Sequence, residues 1–358
     1  MCFLCLTLLI ICAIIYEKYQ NSYIFISILF IDGGIAVPVV EKVLEILEDN
    51  RGRSVSGNKI AQSLGVTRSA VWKAVTRLRE DGYSVSAVTN RGYRLNDDND
   101  MINEPAINAF LKTESLGRSI DIFKTIDSTN DFAKSRAHLG AEHGALIVAD
   151  HQTAGKGRMG KRFHSPGRSG IYMSVIVRPK FSVEYAMAIT SCTAVAVAEA
   201  IENVTGLSCG VKWVNDIYCN GKKLCGILTE ASIGVEQGGL DYVVIGIGLN
   251  VSNAVFPRDL ENIATSLRLE TGKKFSRAQL IAEILNCLEK HLEEIPTHGY
   301  IDEYRRRSIF IGHDIIIRKN NAATKAKCLD IDNLGKLLVK YEDGTEAAIS
   351  SGTVELAD

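Results

Sequence analysis

The sequence predicts an α+β chain of several domains: a small helical unit with a two-stranded wing, a central domain on a mixed sheet, and a small all-β unit at the end. Three observations predict it. The chain has 358 residues, 46% of them hydrophobic, enough to bury more than one core. Between Ser56 and Leu95, two short amphipathic helix patterns separated by a glycine precede a pair of alternating strands. Farther on, the apolar runs Ala145–Ala149, Ile171–Val177 and Val243–Val251 read as strands with helix patterns between them, and the last fifty or so residues hold only short strands and turns. The formal net charge of -1 says nothing about partners, because charge that binds them is local.

Residues 1–36 stand apart. Cys2–Tyr16 and Tyr23–Ile31 are apolar runs, each shorter than the roughly 20 residues a membrane-spanning helix needs. Neither a basic n-region nor an Ala-x-Ala cleavage site is present, so a secretory signal fits poorly. An uncleaved anchor stays open, but we expect this leader not to belong to the native protein. Gly33-Gly34 can be encoded by a ribosome-binding core, and Val37 by a GTG start codon. Mass spectrometry of the native amino terminus decides, and any peptide spanning Ile31–Val37 sinks the idea. Three of the nine cysteines fall in this leader; Cys192, Cys209, Cys219, Cys225, Cys287 and Cys328 show no zinc-type spacing and are expected to be buried, reduced thiols of a cytoplasmic protein.

A first domain is expected over 37–98. Val39 opens a helical apolar pattern. Ile60, Ala61 and Leu64 form one face of a second short helix, Gly65 breaks it, and Thr67 caps a third helix whose Val71, Val75 and Leu78 share a side. That is a helix-turn-helix. The other face of the third helix carries Arg68, Ser69, Trp72, Lys73, Thr76 and Arg77, types that reach phosphates and base edges. Two strands then flank Thr89-Asn90-Arg91-Gly92, a hairpin tip with one cation, Arg91, which makes the unit winged. Arg51 to Arg94 holds nine Lys or Arg against two acids, Glu80 and Asp81, the electrostatic footprint of a DNA binder. Asn96–Asp100 reads as a polar linker.

The central domain, 99–305, contains the stretch "HQTAGKGRMGKRFH", His151–His164. It fits the dinucleotide glycine pattern and all but the last position of a P-loop. Both motifs need a helix starting at the loop, so that its amino terminus faces phosphates. Here the chain continues Phe-His-Ser-Pro-Gly-Arg-Ser-Gly into the next strand, and no helix is expected. The long connection from His151 to Gly170 carries Lys156, Arg158, Lys161, Arg162 and Arg168 and no acid, which suggests a mobile strap that orders on an anion.

Around the strap lie four further motifs: Asp127-Ser-Thr-Asn130 at the head of an amphipathic helix, "KWVND" (Lys212–Asp216), "KLCGIL" (Lys223–Leu228) and "GIGLN" (Gly246–Asn250). Asn220-Gly221 signals a hairpin that puts Lys223 near the start of its return strand. Taken with Gln152–Gly160, these five motifs in this order resemble the biotin protein ligases, specifically the bacterial type that doubles as the biotin-operon repressor; the resemblance runs from about Val39 onward.

The resemblance implies that biotin's carboxylate attacks the α-phosphate of ATP to give biotinyl-adenylate and pyrophosphate, and that a lysine of the biotin carboxyl carrier protein then takes the acyl group. It implies that Ser128, Thr129, Asn130 and Gln152 hold the ureido ring, that Lys156, Gly157 and Arg158 close over the ligand, and that Gly226, Gly246 and Gly248 line the valeryl tail. Arg158, Lys223 and Asp216 are the expected catalytic residues, with Arg158 on the adenylate phosphate and Lys223 on the biotin carboxylate or acyl oxygen. Lys212, Asn215, Asp216 and Asn250 are expected at ATP, and Asp216 at Mg2+; no tightly bound metal is expected. Operator DNA, a homodimer induced by the adenylate and the absence of a membrane complete the implied partners. Departures from the family pattern are Val214 in place of the usual Pro, Lys156 and Lys161 where Arg is frequent, and Phe163 where Trp is frequent; a lysine lacks arginine's bidentate fork.

Residues 306–358, with turns at Asn320-Asn321, Asp332-Asn333 and Asp343-Gly344, suggest a small barrel that resembles the SH3-like cap of the ligases. Two other readings stay open. A lipoate ligase shares the fold and adenylation chemistry, and a metabolite-sensing DNA regulator would have lost catalysis.

Overall fold

The structure, a computed structural model, describes residues 38–179, 182–233, 239–319 and 322–357. The leader 1–36, the expected start at Val37 and the turn at Asn320-Asn321 lie outside the described residues.

At the front, α1 (Val39–Asp49), α2 (Gly57–Leu64) and α3 (Arg68–Glu80) pack around Val43, Leu47, Ile60, Val71, Val75 and Leu78. Gly65 ends α2 in the left-handed region, and the Thr67 hydroxyl caps α3 by accepting from the Ala70 N–H at 3.2 Å. The wing is the antiparallel pair β1 (Val85–Val88) and β2 (Gly92–Leu95), turning at Asn90 with positive φ.

The stretch after the wing is not the free polar linker that its composition suggests. Asn99 is buried; its side-chain oxygen accepts from the Ser84 N–H at 2.9 Å, and its carbonyl from Arg51 at 2.7 Å. Asp100 is held by Arg277, and a short helix, α4 (Glu104–Asn108), follows at once. Composition reports exposure on average; here unpaired backbone groups and a buried cation recruit the polar residues.

The central sheet has seven strands: β3 (Ile120–Ile126), β4 (Leu146–Gln152), β5 (Gly170–Val177), β6 (Gly210–Lys212), β7 (Asp216–Cys219), β8 (Lys222–Ile233) and β9 (Leu240–Asn250), in the order β3-β4-β5-β9-β8-β7-β6. Only β3 and β4 run parallel, joined by α5 (Thr129–His138). Asn220 and Gly221, both with positive φ, make the expected two-residue hairpin. One face of the sheet is covered by α6 (Ala186–Thr205) and α8 (Arg277–Glu293). By length and composition α6 could cross a membrane, but most of it is buried in this core. A single turn of helix, α7 (Leu267–Thr271), precedes α8, and α9 (Ile301–Arg307) leads to the last domain.

There β10 (Asp314–Lys319), β11 (Ala322–Ile331), β12 (Leu337–Tyr341), β13 (Glu346–Ile349) and β14 (Thr353–Leu356) form one antiparallel sheet in the order β13-β12-β11-β10-β14. Trp213 docks it by donating from its indole nitrogen to the Gly335 carbonyl at 2.9 Å. The six cysteines named above are free and buried.

Candidate active site and nucleic-acid face

A cavity of about 450 Å³ opens at the carboxyl ends of β3 and β4, and every residue expected at biotin or ATP lines it. The register of the sheet explains much of this. One row across the strands reads Asp216, Gly226, Gly248 and Tyr172; the next reads Leu228, Gly246 and Ser174. Three glycines therefore lie side by side on the cavity floor, where any larger side chain would fill the space. Phe163 of the strap packs over two of them, Gly226 and Gly248: a methyl on Gly248 would meet its ring at 2.5 Å.

At one end, Ser128 caps α5, its hydroxyl accepting from the Asp131 N–H at 3.4 Å. Gln152 accepts from the Thr129 N–H at 2.9 Å and donates to the Ser165 hydroxyl at 3.0 Å. Gln152 is thus the last residue of β4, paired with Ile126 of β3, and the mobile connection expected from His151 begins only after it.

Asn130 lines the cavity and is bonded within the protein through both ends of its amide. Its amide donates to the Leu228 carbonyl at 3.2 Å and to Glu230 at 2.8 Å, while its oxygen lies 2.6 Å from the Ser174 hydroxyl and presses on Gly246. Both N–H donors are used within the protein, so Asn130 also braces the wall that it lines. Ser174, a buried hydroxyl that also lies 2.8 Å from the Thr129 hydroxyl, was missed in the sequence; its signal is one polar residue in the apolar run Ile171–Val177.

The strap folds on itself. Gly157 donates to the Lys161 carbonyl at 2.7 Å, Lys156 bridges to Arg162, and Arg158–Gly160 forms one tight turn with Met159 exposed at its tip. No α-helix starts there. Arg158 reaches inward to the Asn215 side-chain oxygen at 2.7 Å, and Asn215 in turn donates to the Ile227 carbonyl at 2.7 Å. Lys156 turns its ammonium outward to Asp131 at 2.6 Å. Asp131 also meets Lys134 at 3.1 Å, and Lys134 meets Glu230 at 2.7 Å. Burial pushes the Asp131 carboxyl up, but the hydrogen bonds and charges of Lys156 and Lys134 more than offset this and hold it below the usual carboxylate range.

At the other end, Lys223 pairs with Asp216 at 2.7 Å. The Lys212 ammonium lies 5.1 Å from the centre of the Tyr218 ring, a cation–π contact, and burial together with Asp216 and Glu355 pushes the Tyr218 hydroxyl up to about 12. Asn250 ends β9 at the rim. Trp213 is 3% exposed, part of the core, and also lines the cavity. Gly352–Glu355 of the last domain close the remaining wall, a contribution no motif announces. Among the described residues no cluster of three or more His, Cys, Asp or Glu could hold a metal.

On the front domain, Arg68, Ser69, Trp72, Lys73, Arg77 and Arg91 are exposed; Thr76 is half-buried, its hydroxyl donating to the Trp72 carbonyl at 2.9 Å. Arg77 pairs with Asp81 at 3.2 Å but remains open to solvent. Trp72, 56% exposed, is a large apolar group left on the polar face of α3, which suits contact with sugar or a thymine methyl.

Fold and site together define a ligase-type α+β domain carrying a helix-turn-helix in front and an antiparallel cap behind. The chain belongs to the biotin/lipoate A/B protein ligase family, which residues 122–250 match. Residues 39–94 match an HTH domain and residues 310–357 a biotin protein ligase C terminal domain. The bifunctional ligase/repressor BirA of Bacillus spizizenii is 39% identical over 319 residues, which are 88% of this chain and 97% of that protein. The protein of the same name from Escherichia coli is 27% identical, over 85% and 94% of the two chains. Among solved structures, a biotin protein ligase from Aquifex aeolicus in complex with biotin and ATP aligns with TM-score 0.58 and 26% identity, over 67% of this chain and 99% of that one.

Proposed function

We propose that the protein is a biotin protein ligase that activates biotin with ATP and transfers it to a lysine of a biotin carboxyl carrier protein, and that it also acts as a biotin-responsive repressor. The observation that carries this reading is the convergence of the five motifs on one cavity, in a chain whose helix-turn-helix presents a basic, exposed face.

The residues suit the reaction. Ser128, Thr129 and Gln152 offer neutral hydrogen bonds for a ureido ring, and the glycine row takes an unbranched tail toward Lys223. There the biotin carboxylate oxygen attacks the α-phosphorus of ATP, the bond to the β-phosphate oxygen breaks, and pyrophosphate leaves. Two anions must meet, so Lys223, Arg158 and Lys212 offset their repulsion. The carrier lysine's neutral amine then attacks the acyl carbon and AMP departs. Magnesium would come with ATP. Asp216, one of two carboxylates on the cavity with Glu355, fits a cation that takes most of its ligands from phosphates and water, and the ion would neutralise phosphate charge. Adenylate in the cavity would favour a homodimer, so that two winged helices reach paired half-sites in a cytoplasmic protein.

Biotin-dependent exchange of labelled pyrophosphate into ATP by residues 37–358 tests the reading, with lipoate, octanoate and no acid alongside. Exchange with biotin alone is expected. Exchange with lipoate alone makes the protein a lipoate ligase, and no exchange from folded protein leaves a DNA-binding sensor.

A further inference from the structure

Arg277, the first residue of α8, is 1% exposed, and its guanidinium joins segments that belong to the two ends of the proposed function. Its Nε donates to the Asp100 carboxylate at 2.8 Å and its Nη2 to the Asp100 carbonyl at 2.7 Å, while the other Asp100 oxygen accepts from the Arg277 backbone N–H at 3.0 Å. Its Nη1 donates to Asp150 at 2.7 Å and to the Gly170 carbonyl at 3.2 Å. Asp100 follows directly on Asn99, which grips the front domain through Ser84 and Arg51. Asp150 and Gly170 are the two roots of the strap: Asp150 lies two residues before Gln152 and also accepts from the Arg168 N–H at 3.1 Å.

A second contact joins the same two parts. The Arg168 side chain leaves the strap and reaches the turn between α3 and the wing, where a methyl on Gly82 would meet its Nη2 at 3.1 Å. Taking either partner from this buried guanidinium leaves N–H donors without acceptors, so neither segment can move without disturbing the other.

We propose that Arg277 is a positioning residue that seats the winged helix and the roots of the ligand strap on one guanidinium, so that order in the strap and the seating of the winged helix depend on each other. Since the adenylate is the strap's ligand, this rests on the ligase–repressor reading above. Such coupling is reciprocal: whatever the adenylate gains by ordering the strap is felt at the wing, and the reverse.

The test uses the full chain as wild type, D100N and R168A; neither residue lines the cavity, and circular dichroism checks the fold. Pyrophosphate exchange separates KM for biotin from kcat, and hydrogen exchange is followed in peptides covering 153–168 (strap) and 79–95 (α3 end and wing), with and without biotin plus ATP. In D100N, KM for biotin should rise about tenfold with kcat nearly unchanged, within the usual size of inter-site coupling. Ligand should protect both peptides in wild type but only the strap in D100N, and R168A should show the same uncoupling more weakly. Folded D100N and R168A with wild-type KM, and with the wing still protected on ligand binding, would overturn the proposal. Wild type without biotin-dependent exchange would sink the ligase reading instead. Strap exchange in ligand-free D100N then decides the coupling by itself: faster than wild type supports it, unchanged refutes it.

Discussion

Gly248 shows how much a single hydrogen atom decides in this molecule. Its missing side chain leaves room for Phe163, whose ring would stand 2.5 Å from a methyl. G248A should push Phe163 aside at a cost of about 1–3 kcal/mol and weaken biotin binding by calorimetry, and adding F163A should restore part of the loss. If F163A rescues nothing, the ring is not what the glycine accommodates. Arg158 is bonded to Asn215 at 2.7 Å inside the cavity, and we propose that it holds the adenylate phosphate. R158A should let biotinyl-adenylate escape roughly ten- to hundredfold faster, the worth of a hydrogen bond to a charged group; escape at the wild-type rate would move the phosphate elsewhere. K223M should lower pyrophosphate exchange by roughly two to three orders of magnitude, as expected when a charge-stabilising donor is lost. At this scale the sequence was legible where the chemistry demands a residue type, as at Lys223 or the glycines. It was not legible at Ser174, because a buried hydroxyl's partners depend on which segment lies beside its strand; Thr129 and Asn130 come 45 and 44 residues earlier in the chain.

The strap is the element whose behaviour the sequence left open, and its outer tether is Lys156 to Asp131. Asp131 is held below its ordinary range in the folded protein, so the tether's contribution is fully present above the unfolded carboxylate value of about 4 and is lost as pH falls through the lower folded value. Hydrogen exchange in the strap, taken relative to its intrinsic rate, should therefore quicken only as pH falls below about 4, and trypsin should cut D131N faster than wild type at neutral pH, where the wild-type pair is intact. Equal cleavage of D131N and wild type at neutral pH would show that the pair holds nothing, as many exposed ion pairs do not. Most elements were legible from period and punctuation: Gly65, Thr67 and Asn220-Gly221 stand where the structure turns. The extension of β4 to Gln152 was not, because polar His151 and Gln152 continue the strand only through pairing with Thr125 and Ile126.

For the whole molecule, we expect winged-helix binding to duplex DNA to depend on salt through Arg68, Lys73 and Arg91. K73A should weaken binding to all sequences and reduce the salt slope by about 1; an unchanged slope would take Lys73 off the phosphates. Sedimentation with biotin plus ATP should show dimers absent without them, and an unchanged monomer would count against the repressor reading. The order of domains was legible because each has its own hydrophobic period. The way they meet was not: Asn99 and Asp100 read as linker residues until Arg51, Ser84 and Arg277 are brought to them.

The wall formed by Gly352–Glu355 has a consequence in time. Synthesis runs from the amino end, and domains fold as they emerge. The helices that face DNA, ending at Glu80, are made first, and the cavity gains its last wall only after some 270 more residues. For that interval a growing chain has the residues expected at DNA and at biotin but lacks the wall beside Tyr218, and a message broken just before codon 352 would leave that side of the cavity open.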